Sequence, residues 1–224
     1  MLRKFVFLLV VTLLHTVRGH SQEQDFQTWA GAELGGELFN KINIEIAPEV
    51  RLANNSSFAR SVLTDVDLSY KLNDFIRFGG RYRFAMKNSL DGPSYLVNRF
   101  GVYSRFDLRF DDLRINYRVI YQQEYEGVGR REGGGIAFLE HRHRIALSYF
   151  KKKWNLRPSA SYELFLQAKP GFLTDEFTSR LSMGLKYKIN KKLDLSLGYK
   201  LQNEYFENNP LTSHILTVGF SYGL

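Results

Sequence analysis

The stretch KINIEIAPEVRLA, residues 41–53, decides the fold. Ile42, Ile44, Ile46, Pro48, Val50 and Leu52 fall on one parity; Asn43, Glu45, Glu49 and Arg51 fall on the other. Successive side chains of a strand point to opposite faces, so strict period two describes a strand with one apolar and one polar face. Val62, Thr64, Val66, Leu68, Tyr70 and Leu72 then alternate with Asp65, Asp67, Ser69 and Lys71. Ile76, Phe78, Tyr82, Phe84 and Met86 alternate in turn with Arg77, Arg81, Arg83 and Lys87. The pattern recurs over 100–110, 113–125, 139–149, 154–166, 177–189, 193–205 and 214–224, making ten strands. Most run well beyond the roughly five or six residues usual for soluble strands.

The connectors alternate as well. Residues 73–74, 111–112, 151–153 and 190–192 read as tight polar turns, and 54–59, 88–95, 126–137, 168–176 and 207–213 as longer links. Short turn followed by long loop is the meander of an outer-membrane barrel, with the short turns periplasmic. The expected fold is therefore all-β: an antiparallel up-and-down transmembrane β-barrel of 10–12 strands. Residues 41–224 form the barrel and 22–40 a strand-like segment that either joins it or lies against or inside it. That segment alternates weakly, with Phe26, Ala30, Ala32 and Leu34 against Gln27, Trp29 and Glu33. Counting it gives eleven strands, whereas single-chain bacterial barrels have even numbers.

Alternation alone does not say which face looks outward, because a soluble ligand-binding barrel in the periplasm also alternates, with its apolar face inside. Across the ten strands the apolar parity carries no Asp, Glu, Lys or Arg, and His141, His143 and His214 are its nearest approach to charge. A lipid-facing surface demands that purity, since Arg or Lys at mid-depth costs about 2–4 kcal/mol. Strand length points the same way, because about nine to eleven tilted residues cross a bilayer. Tyr70, Phe110, Tyr149, Trp154, Tyr187 and Tyr222 lie on the apolar parity beside the short turns, where an interfacial aromatic girdle is expected.

The opposite parity is expected to face the lumen. It carries Arg77, Arg81, Arg83, Arg99 and Arg105, followed by Arg114, Arg118, Arg142 and Arg144. The interleaved acids include Glu49, Asp65, Asp67, Glu140 and Glu163. In a narrow lumen these charges pair or stay hydrated, because unpaired burial is expensive. Two expectations follow: an ion-pair core that closes the barrel, or a narrow cation-rich pore preferring anions.

Residues 1–21 read as an export signal: Arg3 and Lys4, then an apolar run over 5–14, then the small residues Gly19 and Ser21. The apolar run is too short for a membrane anchor. The whole chain of 224 residues has net charge +8 and no cysteine, which excludes disulfides, thiol nucleophiles and thiolate metal sites. A basic excess is a weak hint of nucleic-acid binding, and an exported protein seldom meets nucleic acid, so no nucleic-acid partner is expected.

The order of features resembles a known family. Residues Asp25-Phe26-Gln27-Thr28-Trp29 open the chain after the export signal, and Lys71-Leu72-Asn73 and Gly80-Arg81-Tyr82-Arg83 follow. Glu140-His141-Arg142-His143-Arg144 and Tyr187-Lys188-Ile189-Asn190-Lys191-Lys192-Leu193 complete the set. Together they resemble the uncharacterised outer-membrane β-barrel family, a domain of unknown function widespread in Gram-negative bacteria. The resemblance implies an outer-membrane barrel and supplies no reaction, ligand or catalytic residue. The chain departs from many outer-membrane barrels in ending Phe220-Ser221-Tyr222-Gly223-Leu224 rather than in Phe or Trp. Its alternating aromatics still look like a signal for the barrel-assembly machinery.

Enzymatic constellations are thin. Asp65 and Asp67 have the spacing of paired acids, yet sit mid-strand with no Asp-x-His partner. An outer-leaflet lipid-modifying enzyme would use His141 or His143, near the outer end of their strand, but no Ser lies at that level on the neighbouring strands. The same two imidazoles lack a third protein ligand for a metal. The glycine-rich stretch 127–135 follows no strand-to-helix transition and reads as an outer loop whose Arg130 and Arg131 meet lipopolysaccharide phosphates. The sequence thus describes a monomeric, cofactor-free, non-enzymatic barrel in contact with outer-membrane lipid and lipopolysaccharide, structural or acting as a narrow pore.

Overall fold

The computed structural model describes residues 23–39, 41–127, 135–151, 154–168, 176–205 and 210–224. The export segment 1–21 and the loop residues Arg130 and Arg131 lie outside them. Eleven strands follow one another: β1 (Glu23–Leu38), β2 (Ile42–Ala53), β3 (Phe58–Lys71), β4 (Ile76–Lys87), β5 (Tyr95–Phe110) and β6 (Leu113–Glu126). After them come β7 (Gly135–Tyr149), β8 (Leu156–Ala168), β9 (Glu176–Lys188), β10 (Leu193–Tyr205) and β11 (Leu211–Gly223). Each pairs with its chain neighbours, and β1 meets β11 to close the barrel.

Two expectations need correction. The strands are not all antiparallel: β1 and β11 pair in parallel, from Glu23 beside Leu211 to Gly35 beside Gly223. An odd number of strands in a closed meander requires this, because strand direction reverses at every step except the last. The weak alternation of the first segment is that of a wall strand, with Trp29 buried inside and Phe26 and Leu34 exposed outside. The second correction is the first long link, which is a tight connection over 54–57. Asn54, Asn55 and Ser56 all adopt positive φ, between 53° and 62°. Asn tolerates this left-handed region better than most residues. The connection is tied to β1, where Asp25 Oδ1 accepts a hydrogen bond from the Asn55 amide at 2.8 Å and Thr28 Oγ1 lies 2.9 Å from Ser56 Oγ.

Two turns at the other rim share one device. Asn73 Oδ1 accepts from the amides of Phe75 and Ile76 at 2.9 and 2.8 Å, and Asn190 Oδ1 accepts from Lys192 and Leu193 at 2.8 and 2.9 Å. A short amide side chain that satisfies two turn donors fixes the reversal without help from the rest of the fold. At the opposite rim, register shifts opposite Arg51/Leu52 and Glu124/Tyr125 leave Arg60 and Ala137 unpaired with β2 and β6 and mark bulges in β3 and β7. Bulges there bend the strands and increase the twist.

Candidate functional site: the charged lumen

The pairing register brings distant cations into one line. Lys71, Arg77, Arg105, Arg118 and Arg144 are successive cross-strand partners on β3 to β7. The line continues through Glu163, Arg180 and Gln202 on β8 to β10. Strands in a barrel tilt relative to its axis, so a line that steps across them climbs the lumen. It starts at the short-turn rim, where Lys71 and Arg77 flank the 72–75 turn, and ends near the long-loop rim at Gln202. Like charges directly opposite one another destabilise a sheet, so five cations in sequence are not a stability device.

The facing wall is built from small residues. Ser159, Gly184, Gly198 and Thr217 are consecutive partners across β8 to β11. A Cβ on Gly198 would lie 2.6 Å from Thr217 Oγ1 and 3.0 Å from the Met183 carbonyl oxygen, so no larger residue fits without displacement.

Open space runs from the short-turn rim into the middle of the lumen, as far as Asp65 and Arg83. A cavity of about 640 Å³ opens among Arg77, Arg105, Arg157, Lys186 and Tyr103. A deeper one of about 370 Å³ is bounded by Trp29, Glu163, Arg180 and Lys200. Glu33, Arg81, Arg118, Arg144 and Ser221 line both, which places them at the junction.

The long-loop half is filled instead. The largest fully buried side chains are Ile120, Ile215, Glu124, Glu140, Val97 and Ser213, all pointing inward there. Glu124 takes the Lys87 ammonium at 2.8 Å and the Arg99 Nε at 2.6 Å, while Gln122 and Gln167 both donate to Glu140. Leu63, Ala85 and Val97 form an apolar cluster with Tyr95 against it.

Between the halves, Glu163 is one carboxylate among several guanidiniums. Arg142 Nη2 lies 2.7 Å from Oε1, Arg180 Nη1 3.7 Å from Oε2 and Arg118 Nη2 4.0 Å from Oε1. Arg144, its direct cross-strand partner, makes no ion pair or hydrogen bond among the described residues. The Nε atoms of Arg77, Arg118, Arg142 and Arg144 are buried without a hydrogen-bond partner.

A family model described as a protein of unknown function, DUF2490, matches residues 26–212, from the start of β1 into β11. The chain belongs to that family. Among proteins of curated function, none matches. Among solved structures, this DUF2490 barrel is similar to the NanC porin, with a TM-score of 0.58 and 14% identity over 89% of this chain and 99% of that one. It also matches OmpT of Vibrio cholerae, at a TM-score of 0.41 and 11% identity over 73% of this chain and 53% of that one. At such identities the likeness to the porin concerns the fold alone, a closed β-barrel.

The sequence-derived lumen residues in this DUF2490 protein take up distinct roles. Arg83 is bound to Asp65 through two contacts of 2.7 Å. Arg81 and the Tyr103 hydroxyl share Asp67, at 3.0 and 2.6 Å. Glu49 holds Arg51 at 2.6 Å, Arg105 binds Asp107 at 3.1 Å, and Arg114 lies over Phe150 at 5.2 Å. The girdle residues Tyr70, Phe110, Trp154, Tyr187 and Tyr222 are exposed on the outer face beside the short turns, and Tyr149 packs edge-on against Trp154 at 5.9 Å.

His141 and His143 depart from expectation. β7 begins at Gly135, so both lie at the middle of their strand rather than near its outer end. Tyr117 Oη lies 3.0 Å from His143 Nδ1, and the Tyr121 and His141 rings meet edge-on at 4.8 Å. Ser179 is separated from His143 by Leu164 and lies 3.3 Å from Tyr205 Oη. Among the described residues no three His, Asp or Glu come together as a metal site.

Two lumenal aromatics were not singled out from the sequence. The Trp29 ring lies under Arg51, Arg180 and Lys200, at 3.8, 5.3 and 4.6 Å from its centroid. Tyr103 covers Gly79, whose added Cβ would fall 2.3 Å from the Tyr103 ring. The available signal was parity, since both aromatics sit on the charged face of an otherwise apolar-aromatic strand.

Proposed function

We propose that this DUF2490 protein is a non-enzymatic outer-membrane β-barrel whose lumen is a narrow, anion-preferring passage for small solutes. The climbing line Lys71, Arg77, Arg105, Arg118 and Arg144 carries this reading. A confined row of like charges raises the local concentration of counter-ions and repels ions of its own sign. Strands of 12–16 residues exceed the span a bilayer requires, and from β4 to β11 the outward parity holds no Lys, Arg, Asp or Glu. In this reading residues 1–21 are the export signal, lipid and lipopolysaccharide surround a monomer, and the aromatic girdle marks the periplasmic interface. An outer-leaflet enzyme using His141 or His143 has less support, because their ring partners are tyrosines and no serine adjoins them.

The filled long-loop half favours a second reading, a closed structural barrel. Single-channel conductance of the refolded protein across a salt gradient separates the two. The pore reading expects discrete steps with a reversal potential on the anion side. A folded, heat-modifiable barrel that never conducts would leave the structural role.

A further inference from the structure

The guanidiniums at the junction of the two cavities are under-neutralised in a way that specifies a ligand. We infer that Arg118 and Arg144, with Arg77 towards the rim, form a binding site for a small oxyanion carrying two or more negative charges, phosphate or carboxylate. The inference rests on the anion-preferring lumen and names what that lumen holds.

Arg118 and Arg144 are direct cross-strand partners, so their strands lie only about 4.8 Å apart. Both line the rim cavity and the deeper one. Their Nε atoms are buried and unbonded, as is that of Arg77. The acid paired with Arg118, Glu163, is already engaged by Arg142 at 2.7 Å and stands 4.0 Å from Arg118. The wider rim cavity repeats the imbalance, with ten Lys and Arg side chains against five Asp and Glu.

A buried charge left without a partner is costly, and guanidiniums bind carboxylate and phosphate through paired N–H donors. A single halide supplies one charge and no oxygen geometry for two forks. A dianion held between Arg118 and Arg144 supplies both, and the cavity of about 640 Å³ has room for a small organic skeleton behind it. Arg81 and Arg105 stay occupied by Asp67 and Asp107, so they frame the site without being available to it. Ser221 lines the junction too, with its hydroxyl 3.0 Å from Lys186 Nζ.

The test is isothermal titration of the refolded full barrel in detergent with inorganic pyrophosphate and, separately, with malonate. Sodium chloride at matched ionic strength serves as the reference. Saturable binding of either dianion, weakened at least tenfold in the Arg118→Gln/Arg144→Gln double variant, is the expected result. Arg60→Gln, which changes an exposed side chain near the long-loop rim that lines neither cavity, should change affinity less than twofold. The double variant relieves repulsion, so its ligand-free thermal midpoint should equal or exceed that of the wild type; a clear fall would mean the two arginines are already satisfied and would overturn the site. Binding no stronger than the salt reference would overturn it equally. Saturation by a dianion in a barrel that never conducts would keep the site and remove only the pore.

Discussion

The two halves of the lumen are made from the same kinds of residue and end in opposite states. In the long-loop half the buried charges find partners, Glu124 between Lys87 and Arg99 and Glu140 between Gln122 and Gln167. In the short-turn half Arg77 and Arg144 make no ion pair or hydrogen bond among the described residues. The contrast follows from register. Where each base adjoins an acid, as with Asp65 opposite Arg83 and Arg99 opposite Glu124, the lumen carries its own ion pairs, even though Arg83 and Arg99 lie side by side. Where bases follow bases in a longer run, as with Arg105, Arg118 and Arg144, it stays open. Charge order across the sheet, more than charge number, separates a core from a cavity.

Changing charges at the boundary should break this contrast most strongly. Glu163→Gln leaves Arg118, Arg142 and Arg180 facing one another, and removal of one partner from a buried ion pair costs about 3–5 kcal/mol. The denaturant midpoint of the refolded barrel should fall accordingly, and an unchanged midpoint would show the cluster to be fully hydrated. Arg118→Glu places an acid between Arg105 and Arg144, ahead of Glu163, and so makes that stretch of the line alternate. Ion preference should weaken or reverse, read as a shift of reversal potential towards the cation side.

A smaller effect is expected at Gly79. A methyl group there collides with the Tyr103 ring and pulls its hydroxyl from Asp67, a bond of 2.6 Å. Gly79→Ala should destabilise by about 1–3 kcal/mol, the cost of an orphaned buried polar group, and Tyr103→Phe should reproduce part of that loss. On the outer surface, His141→Ala with His143→Ala should leave conductance and dianion binding unchanged. Loss of any function in that variant would move attention from the lumen to the outer face. The smallest expected effect is at Asp74, whose carboxyl Lys71 holds below its usual range through a hydrogen bond and its charge. A depressed carboxyl contributes stability above its unfolded pKa and loses it as pH falls through the folded value. Asp74 is fully exposed, so Asp74→Asn should shift the acid unfolding midpoint by no more than the error of measurement.

Much of this was legible because a strand exposes its environment through parity. The alternation of Ile42 to Leu52 and of Ile76 to Met86 yields face, length and the purity of the outer surface directly. What parity does not carry is pairing. That Arg118 sits opposite Arg144, or that Tyr103 lies over Gly79, depends on register, and register is set by the turns and the bulges opposite Arg51/Leu52 and Glu124/Tyr125. The position of His141 along β7 was misjudged for a related reason. Glycine and alanine at the start of that strand conceal it, because neither advertises a face. The eleventh strand was visible but its partner was not, since alternation is the same for parallel and antiparallel neighbours.

That closing pair has a consequence for anyone labelling the molecule. Because β1 and β11 run side by side in one direction, Glu23 emerges at the rim bearing the long loops and Leu224 at the rim bearing the tight turns. If the barrel spans the outer membrane as proposed, a fluorophore placed beside each sits on opposite sides of the lipid. A quencher confined to one compartment would darken only one of them. In a barrel with an even number of strands the same two labels would share a compartment.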